Sequence, residues 1–193
     1  MLLPTVCPAC GSPGPAPCER CRALVRFVAE APAPAGLDSF AALMRYEGAG
    51  REIVARLKYR NARSALAWLA GGMAALVEPG EVDVVTWVPT TPSRRRQRGF
   101  DQGRLLASAV AARLHRPCRR LLRRQEGPPQ TGRSRSERLQ GPELSVRFWR
   151  PPHRVLLVDD VVTTGATMAA AASALRQAGA GTVHAVSAAQ RSR

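Results

Sequence analysis

Lysine is nearly absent from this chain: Lys58 is the only one, and the other 28 basic residues are arginine. A skew of that kind is as readily a mark of genomic base composition as of guanidinium chemistry. Aromatic residues are also few, at 5%, which argues against a dedicated platform for stacking single-stranded nucleic acid. No window approaches the roughly 20 apolar residues of a membrane span, so membrane insertion is not expected. The amino terminus lacks a charged start followed by an apolar run, so no secretory signal is read. With cysteines present and no export signal, reduced thiols in the cytoplasm are the expectation. Neither G-x-x-x-x-G-K-[ST] nor G-x-G-x-x-G occurs, which removes the common nucleotide-binding turns.

What is present is an ordinary apolar fraction, 45%, and a net charge of +15 over 193 residues. That length buries one good core with a small appendage. The charge is unevenly spread. From Arg94 to Arg150 there are 16 arginines against four acids, and a field of that size draws phosphate-bearing ligands, small or polymeric.

The organising stretch is Val155 to Thr167, VLLVDDVVTTGAT, followed by the alanine-rich segment Met168 to Ala178. A short branched-apolar run predicts a buried strand, Arg154 to Val158, that delivers Asp159 and Asp160 at its carboxyl tip. The Thr/Gly turn then opens a helix, Gly165 to Ala178, whose first N–H groups have no partner within the helix. Such a terminus attracts an anion, and Gly165 lacks the Cβ that would keep a phosphate away. Adjacent carboxylates beside an anion site suit hydroxyls or a divalent cation. Sugar hydroxyls, phosphate and Mg²⁺ together describe a phosphorylated ribose. Plain α/β scaffold is a poorer account, since neighbouring acids repel. A phosphate-accepting receiver domain carries its acids near its start, whereas only 33 residues follow Asp160.

Cys7-x-x-Cys10 and Cys18-x-x-Cys21 open the chain, seven Gly- and Pro-rich residues apart. Two such pairs complete a tetrahedral zinc site. Two disulfides or a redox pair are the competing uses. A segment of about 20 residues builds no core without a metal, so a structural zinc knuckle over 1–28 is expected. Cys118 has no companion and is expected to pack as a small apolar residue.

The proline-alanine stretch 29–36 is read as a linker, and 37–193 as the main domain. In it, Ser39 to Tyr46 is expected as a strand, Gly48 to Tyr59 and Ala65 to Val77 as helices, with Gly71-Gly72 weakening the second. Val82 to Val88 is a second strong strand. It runs into Pro89-Thr90-Thr91-Pro92 and the cluster Arg94 to Arg96, a candidate second anion site or a solvated charge run. Ligands of open α/β sheets collect at the carboxyl ends of strands, so this tip and the Asp159–Asp160 tip should face one crevice. Asp101 caps a helix to about Leu114, with Leu105, Leu106, Ala109, Val110 and Leu114 as its buried face. Arg123 to Gly141 reads as a long basic loop. Thr182 to Ala188 is a last strand, joined through the preceding helix in a right-handed βαβ unit.

The acid pair followed by T-T-G-x-T resembles the PRPP-binding loop of type I phosphoribosyltransferases, where PRPP is phosphoribosyl diphosphate. Arg98-Gly99-Phe100-Asp101-Gln102 resembles the R-G-F-[ND]-Q segment of the ComF family, as do Gln130 and Ser136-Glu137-Arg138 its Q…L-[ST]-x-x-E-R pattern, with a departure at Arg133–Arg135. The resemblance spans nearly the whole chain, in the family's order. It implies an α/β fold of the type I phosphoribosyltransferase (Rossmann-like) class, an open, mostly parallel sheet flanked by helices, beside a four-cysteine zinc knuckle. It implies catalytic Asp159 and Asp160 on the ribose hydroxyls and Mg²⁺, with Thr163, Thr164, Gly165, Ala166 and Thr167 around the 5′-phosphate and Val161 in the same PRPP-binding set. Pro89, Thr90, Thr91 and Arg98 would meet pyrophosphate, with Lys58, Gln130 and Arg138 in the same group and a lid that excludes water during the transfer. The implied activity is transfer of phosphoribose to an acceptor that the sequence leaves open, in nucleoside metabolism. The alternatives are a non-catalytic accessory protein that holds single-stranded DNA beside competence helicase partners during uptake, and a nucleotide-sensing regulator.

Overall fold

The structure, a computed structural model, describes residues 5–60, 63–124, 142–147 and 151–191. Its frame is a four-stranded, all-parallel sheet built from β1 (Ser39–Arg45), β2 (Val84–Trp87), β5 (Arg154–Val162) and β6 (Thr182–Gln190). The spatial order is β1-β6-β5-β2, so β5 lies inside the sheet between β6 and β2. Strands covered on both faces read as near-continuous apolar runs, and all four residues of β2 are buried.

Helices α2 (Gly48–Arg60), α3 (Leu66–Ala74) and α5 (Gln102–Leu114) cover one face. Helix α6 (Ala166–Gln177) covers the other, together with an antiparallel ribbon of β3 (Leu122–Arg124) and β4 (Leu144–Val146). Two short α-helices are also present among the described residues, α1 (Glu19–Ala23) and α4 (Pro92–Arg98). The β5–α6–β6 unit pairs in parallel, as its sequence leads one to expect.

Several local expectations change. The central strand runs on to Val162, so Asp159 and Asp160 lie within its paired length, with Asp159 opposite Ser187 of β6. Arg123 and Arg124 belong to the ribbon rather than to a loop. On α5 the buried face includes Ala107 and Ala111, whereas Leu105 and Ala109 are half-buried. Gly72 is a packing position, for a Cβ there would stand 2.8 Å from Leu43 Cδ1.

Both sheet edges are covered by irregular chain. Beside β1, Arg45 N–H donates to Arg26 O at 2.8 Å and Val28 N–H to Leu43 O at 3.3 Å. Beside β2, Val85 N–H donates to Pro117 O and Arg119 N–H to Val85 O, both at 2.9 Å. Leu121 N–H then donates to the buried Thr86 Oγ1 at 3.3 Å. Covered edges leave no row of open donors and acceptors.

The amino ends of the strands are tied by two aspartates. Asp83 accepts from Arg154 through its backbone N–H at 2.9 Å and its Nη2 at 2.7 Å, joining β2 to β5. Asp38 accepts from Val183 N–H at 2.7 Å and from the Arg176 guanidinium, joining β1, β6 and α6. No helix among the described residues is long and apolar enough to cross a membrane.

Candidate functional site

The parallel register fixes the site. Trp87 is level with Val158, and Val88 N–H donates to Val158 O at 3.2 Å. The turn Pro89–Thr91 therefore leaves β2 beside the point where Asp159 and Asp160 follow in β5. Two stretches distant in sequence meet at one sheet end, as the strand-tip argument expects.

The two acids differ in setting. Asp160 is buried, at 5% exposure, while Asp159 is half-buried. Asp159 Oδ1 accepts from the backbone N–H of Asp160 at 2.8 Å, which fixes its rotamer against the chain. Val161 is half-buried behind them.

Thr163, Thr164 and Gly165 form the turn into α6. Thr164 Oγ1 accepts from Ala166 N–H at 3.3 Å. Gly165 is the N-cap, in the left-handed region at φ 80°, and offers no side chain to the helix's amides. Ala166 and Thr167 start its first turn, so amides at the helix's positive end face the sheet's open end. Gly165 meets a further constraint: a Cβ there would lie 2.9 Å from Cγ of Pro34. The stretch 29–36 thus rests against this turn.

The arginine run after β2 is helical. Thr91 caps α4 by accepting from Arg94 N–H at 3.3 Å, and Gly99 ends it in the left-handed region. Arg98 is its last, half-buried residue. One half-buried arginine absent from the sequence-based set is Arg124 of β3. Burial lowers its pKa first and the Arg94 guanidinium next, while the Asp159 carboxylate opposes both. Arg124 therefore stands within electrostatic reach of Arg94 and Asp159. Lys58 falls in the last turn of α2 and its side chain lies outside the described structure; Gln130 and Arg138 lie outside the described residues.

The four cysteines of the opening motif do come together. All four Sγ atoms lie within 4.8 Å of one another, and Cys10 Sγ is 3.7 Å from Cys18 Sγ. Zn–S bonds of about 2.3 Å in a tetrahedron demand S···S separations of roughly 3.8 Å. Cys7 Sγ accepts from Cys18 N–H at 3.4 Å, a bond that favours a thiolate. The Ser12 hydroxyl and N–H pull the Cys10 thiol down to about 6, whereas burial pushes Cys21 up to about 12. The donor set can hold a metal such as zinc. Val25 and Ala9 pack this module onto the core that α2, α3 and α5 share. Cys118 is half-buried and packs against the core, as expected, and its Sγ also accepts from Ser108 Oγ at 3.7 Å.

Residues 101–193 match the family of the phosphoribosyl transferase domain. With the parallel sheet flanked by helices, this defines a phosphoribosyltransferase fold. Competence protein ComFC of Bacillus subtilis (strain 168) is 26% identical over 185 residues, 90% of this chain and 72% of the relative. ComFC of Streptococcus pneumoniae is 35% identical over 96 residues, 48% of this chain and 41% of the relative. Among solved structures, glutamine PRPP amidotransferase from B. subtilis, complexed with ADP and GMP, is 26% identical with a TM-score of 0.48. That likeness covers 69% of this chain and 30% of the other. Together with the four-cysteine cluster, the matches fit a ComFC-like protein of phosphoribosyltransferase fold.

Proposed function

We propose that the chain binds PRPP with Mg²⁺ at the joint carboxyl end of β2 and β5 and transfers its phosphoribosyl group to a nitrogen acceptor, releasing pyrophosphate. The observation that carries this reading is the register of Trp87 with Val158, which sets the Pro89–Thr91 turn beside the two acids. In this reading the amides of Thr163–Thr167 take the 5′-phosphate, and Asp159 and Asp160 take the ribose hydroxyls and the cation. Pro89–Thr91, Arg98 and Arg124 face the diphosphate. Gln130 and Arg138 are assigned to the same ligand by the motif resemblance alone, and zinc occupies the Cys7, Cys10, Cys18 and Cys21 cluster.

Departure of pyrophosphate from the sugar carbon builds negative charge on the leaving oxygens and positive charge on the ribose ring. Guanidinium groups held in place meet the first without reorganising, and carboxylates at the hydroxyls meet the second. When bound, Mg²⁺ supplies further charge neutralisation on the diphosphate. The half-buried setting of Arg124 strengthens its contribution, since field effects grow as water is excluded.

Mg²⁺-PRPP should raise the melting temperature, and Asp159→Asn with Asp160→Asn should abolish that rise. A shift that survives both substitutions would overturn the ligand assignment. Pyrophosphate release across a panel of nitrogen acceptors then tests the transfer itself. A second reading, a non-catalytic protein that holds single-stranded DNA, is favoured by the basic run after Arg94 and by the competence role named for the relatives. It requires DNA binding that weakens steeply with salt.

A further inference from the structure

A cavity of roughly 730 Å³ opens beside α5 and the chain covering the β2 edge. Its cationic lining comes from four separate places: Arg95 of α4, Arg104 of α5, Arg120 of the edge segment and Arg147 after β4. Among the described residues, the one carboxylate lining it is Asp101, whose oxygens already accept from Arg104 N–H at 3.4 Å and from Trp87 Nε1 at 3.2 Å. Trp87, Phe100 and Leu105 supply an apolar wall. None of these residues belongs to the acid pair or to the turn Thr163–Thr167.

We infer that this cavity is a binding site for a nucleoside monophosphate, distinct from the Asp159–Asp160 crevice. Guanidinium groups on one concave surface repel each other unless an anion lies between them. Arg120 registers that crowding, since burial, then Arg147 and Arg95, lower its pKa. A phosphate monoester carries a charge near −2 and matches the guanidinium fork in a bidentate way. Size and the apolar wall narrow the class further. The volume lies in the usual range of about 300–1,000 Å³ for small-molecule sites, far more than inorganic phosphate fills. A planar ring against Trp87, Phe100 and Leu105, with its phosphate toward the arginines, uses both halves of the lining. A single nucleotide accounts for the volume, so a strand is not needed. A smaller cavity of about 420 Å³ shares Arg95, Gly99, Asp101 and Arg120 with it and reaches Thr90 and Pro92. The bound nucleotide therefore neighbours the β2 turn while leaving the β5–α6 turn free. The inference does not depend on PRPP being the ligand there.

The test is calorimetric titration of the full, metal-retaining chain with AMP, GMP, CMP and UMP, with inorganic phosphate and adenosine as controls. At least one monophosphate should bind at a single site, roughly ten-fold or more tighter than either control. Arg104→Ala with Arg147→Ala, both at exposed positions, should weaken that binding by about ten-fold or more. The pair Asp159→Asn and Asp160→Asn should leave it unchanged. Absence of binding by all four nucleotides overturns the inference. So does undiminished binding by the arginine variant, or loss in the aspartate variant, which would put the nucleotide in the other crevice. An oligonucleotide that binds through these arginines where mononucleotides do not overturns it in favour of a nucleic-acid surface. The melting shift with Mg²⁺-PRPP, measured on the arginine variant, reports separately on the first site.

Discussion

The indole Nε1 of Trp87 donates to Asp101 Oδ2 at 3.2 Å, while Oδ1 of the same carboxylate accepts from Arg104 N–H. One side chain thus caps α5 and pins the end of β2, on either side of the arginine helix α4.

Asp101→Ala removes the cap and leaves the buried indole without that acceptor. A loss of about 2 kcal/mol is expected, from a cap worth about 1 and a stranded donor worth about as much. Asp101→Asn keeps one carbonyl oxygen and should lose less. Urea unfolding of both variants, of Trp87→Phe and of the double variant Asp101→Ala with Trp87→Phe checks this, and additive losses in the double variant would contradict a shared bond.

The neighbouring glycines of α3 should respond with opposite signs. Gly71 has nothing within 4 Å of a built Cβ, so Gly71→Ala gains helix propensity, up to about 1 kcal/mol. Gly72→Ala gains the same propensity but drives a methyl to 2.8 and 2.9 Å from the two methyls of buried Leu43. Overpacking of that kind costs about 1–3 kcal/mol, so the variant should be net destabilised. Thermal melts of the two proteins side by side decide it.

Acid should loosen the amino end of the sheet. Arg154 beside Asp83 holds that carboxyl below its usual range. For Asp38, burial pushes upward, but the Arg176 guanidinium and Val183 N–H outweigh it and leave the pKa lowered. A folded-state pKa below the unfolded value of about 3.9 stabilises the fold above that pH. The contribution then fades as pH falls through the lower folded value. Asp38→Asn and Asp83→Asn should therefore be less stable than the parent at neutral pH, by an amount that is flat above about pH 5 and shrinks below about pH 4. A penalty that grows on acidification would contradict the assignment.

The cysteine cluster gives a thiol count. There are five free cysteines, of which Cys118 lies apart from the cluster. Protein carrying zinc should show at most one thiol reactive toward a disulfide reagent, and five after chelation in denaturant. Without metal, Cys10 should react first at neutral pH, because it is exposed and its thiol is lowered to about 6. Four fast thiols in protein purified without chelator, with no zinc bound, would remove the metal.

The β5–α6–β6 unit was legible because its signals are contiguous: an apolar run, two acids, a Thr/Gly turn and an alanine-rich helix. The cysteine pairs were legible for the same reason. Helix α4 was harder to see, since none of its residues is buried and an arginine run has no apolar period. Its caps, Thr91 and Gly99, were the available signal. The ribbon escaped because each strand has three residues and the pairing spans a long insertion. Arg124 escaped with it, for its nearness to Asp159 exists only once the ribbon has formed. Gly72 looked like a weak point in a helix because Leu43, its neighbour, is 29 positions away in sequence.

The antiparallel lining of β1 by residues 26–28 joins two features that otherwise look separate. Those residues lie only a few positions beyond Cys21, so the cysteine module holds a sheet edge in place as well as itself. Unravelling it would bare the hydrogen-bonding side of β1, a template onto which another chain can add. Stripping any metal from the four cysteines is therefore expected to promote self-association at a temperature where the core is still folded, which light scattering followed beside a thermal melt would check.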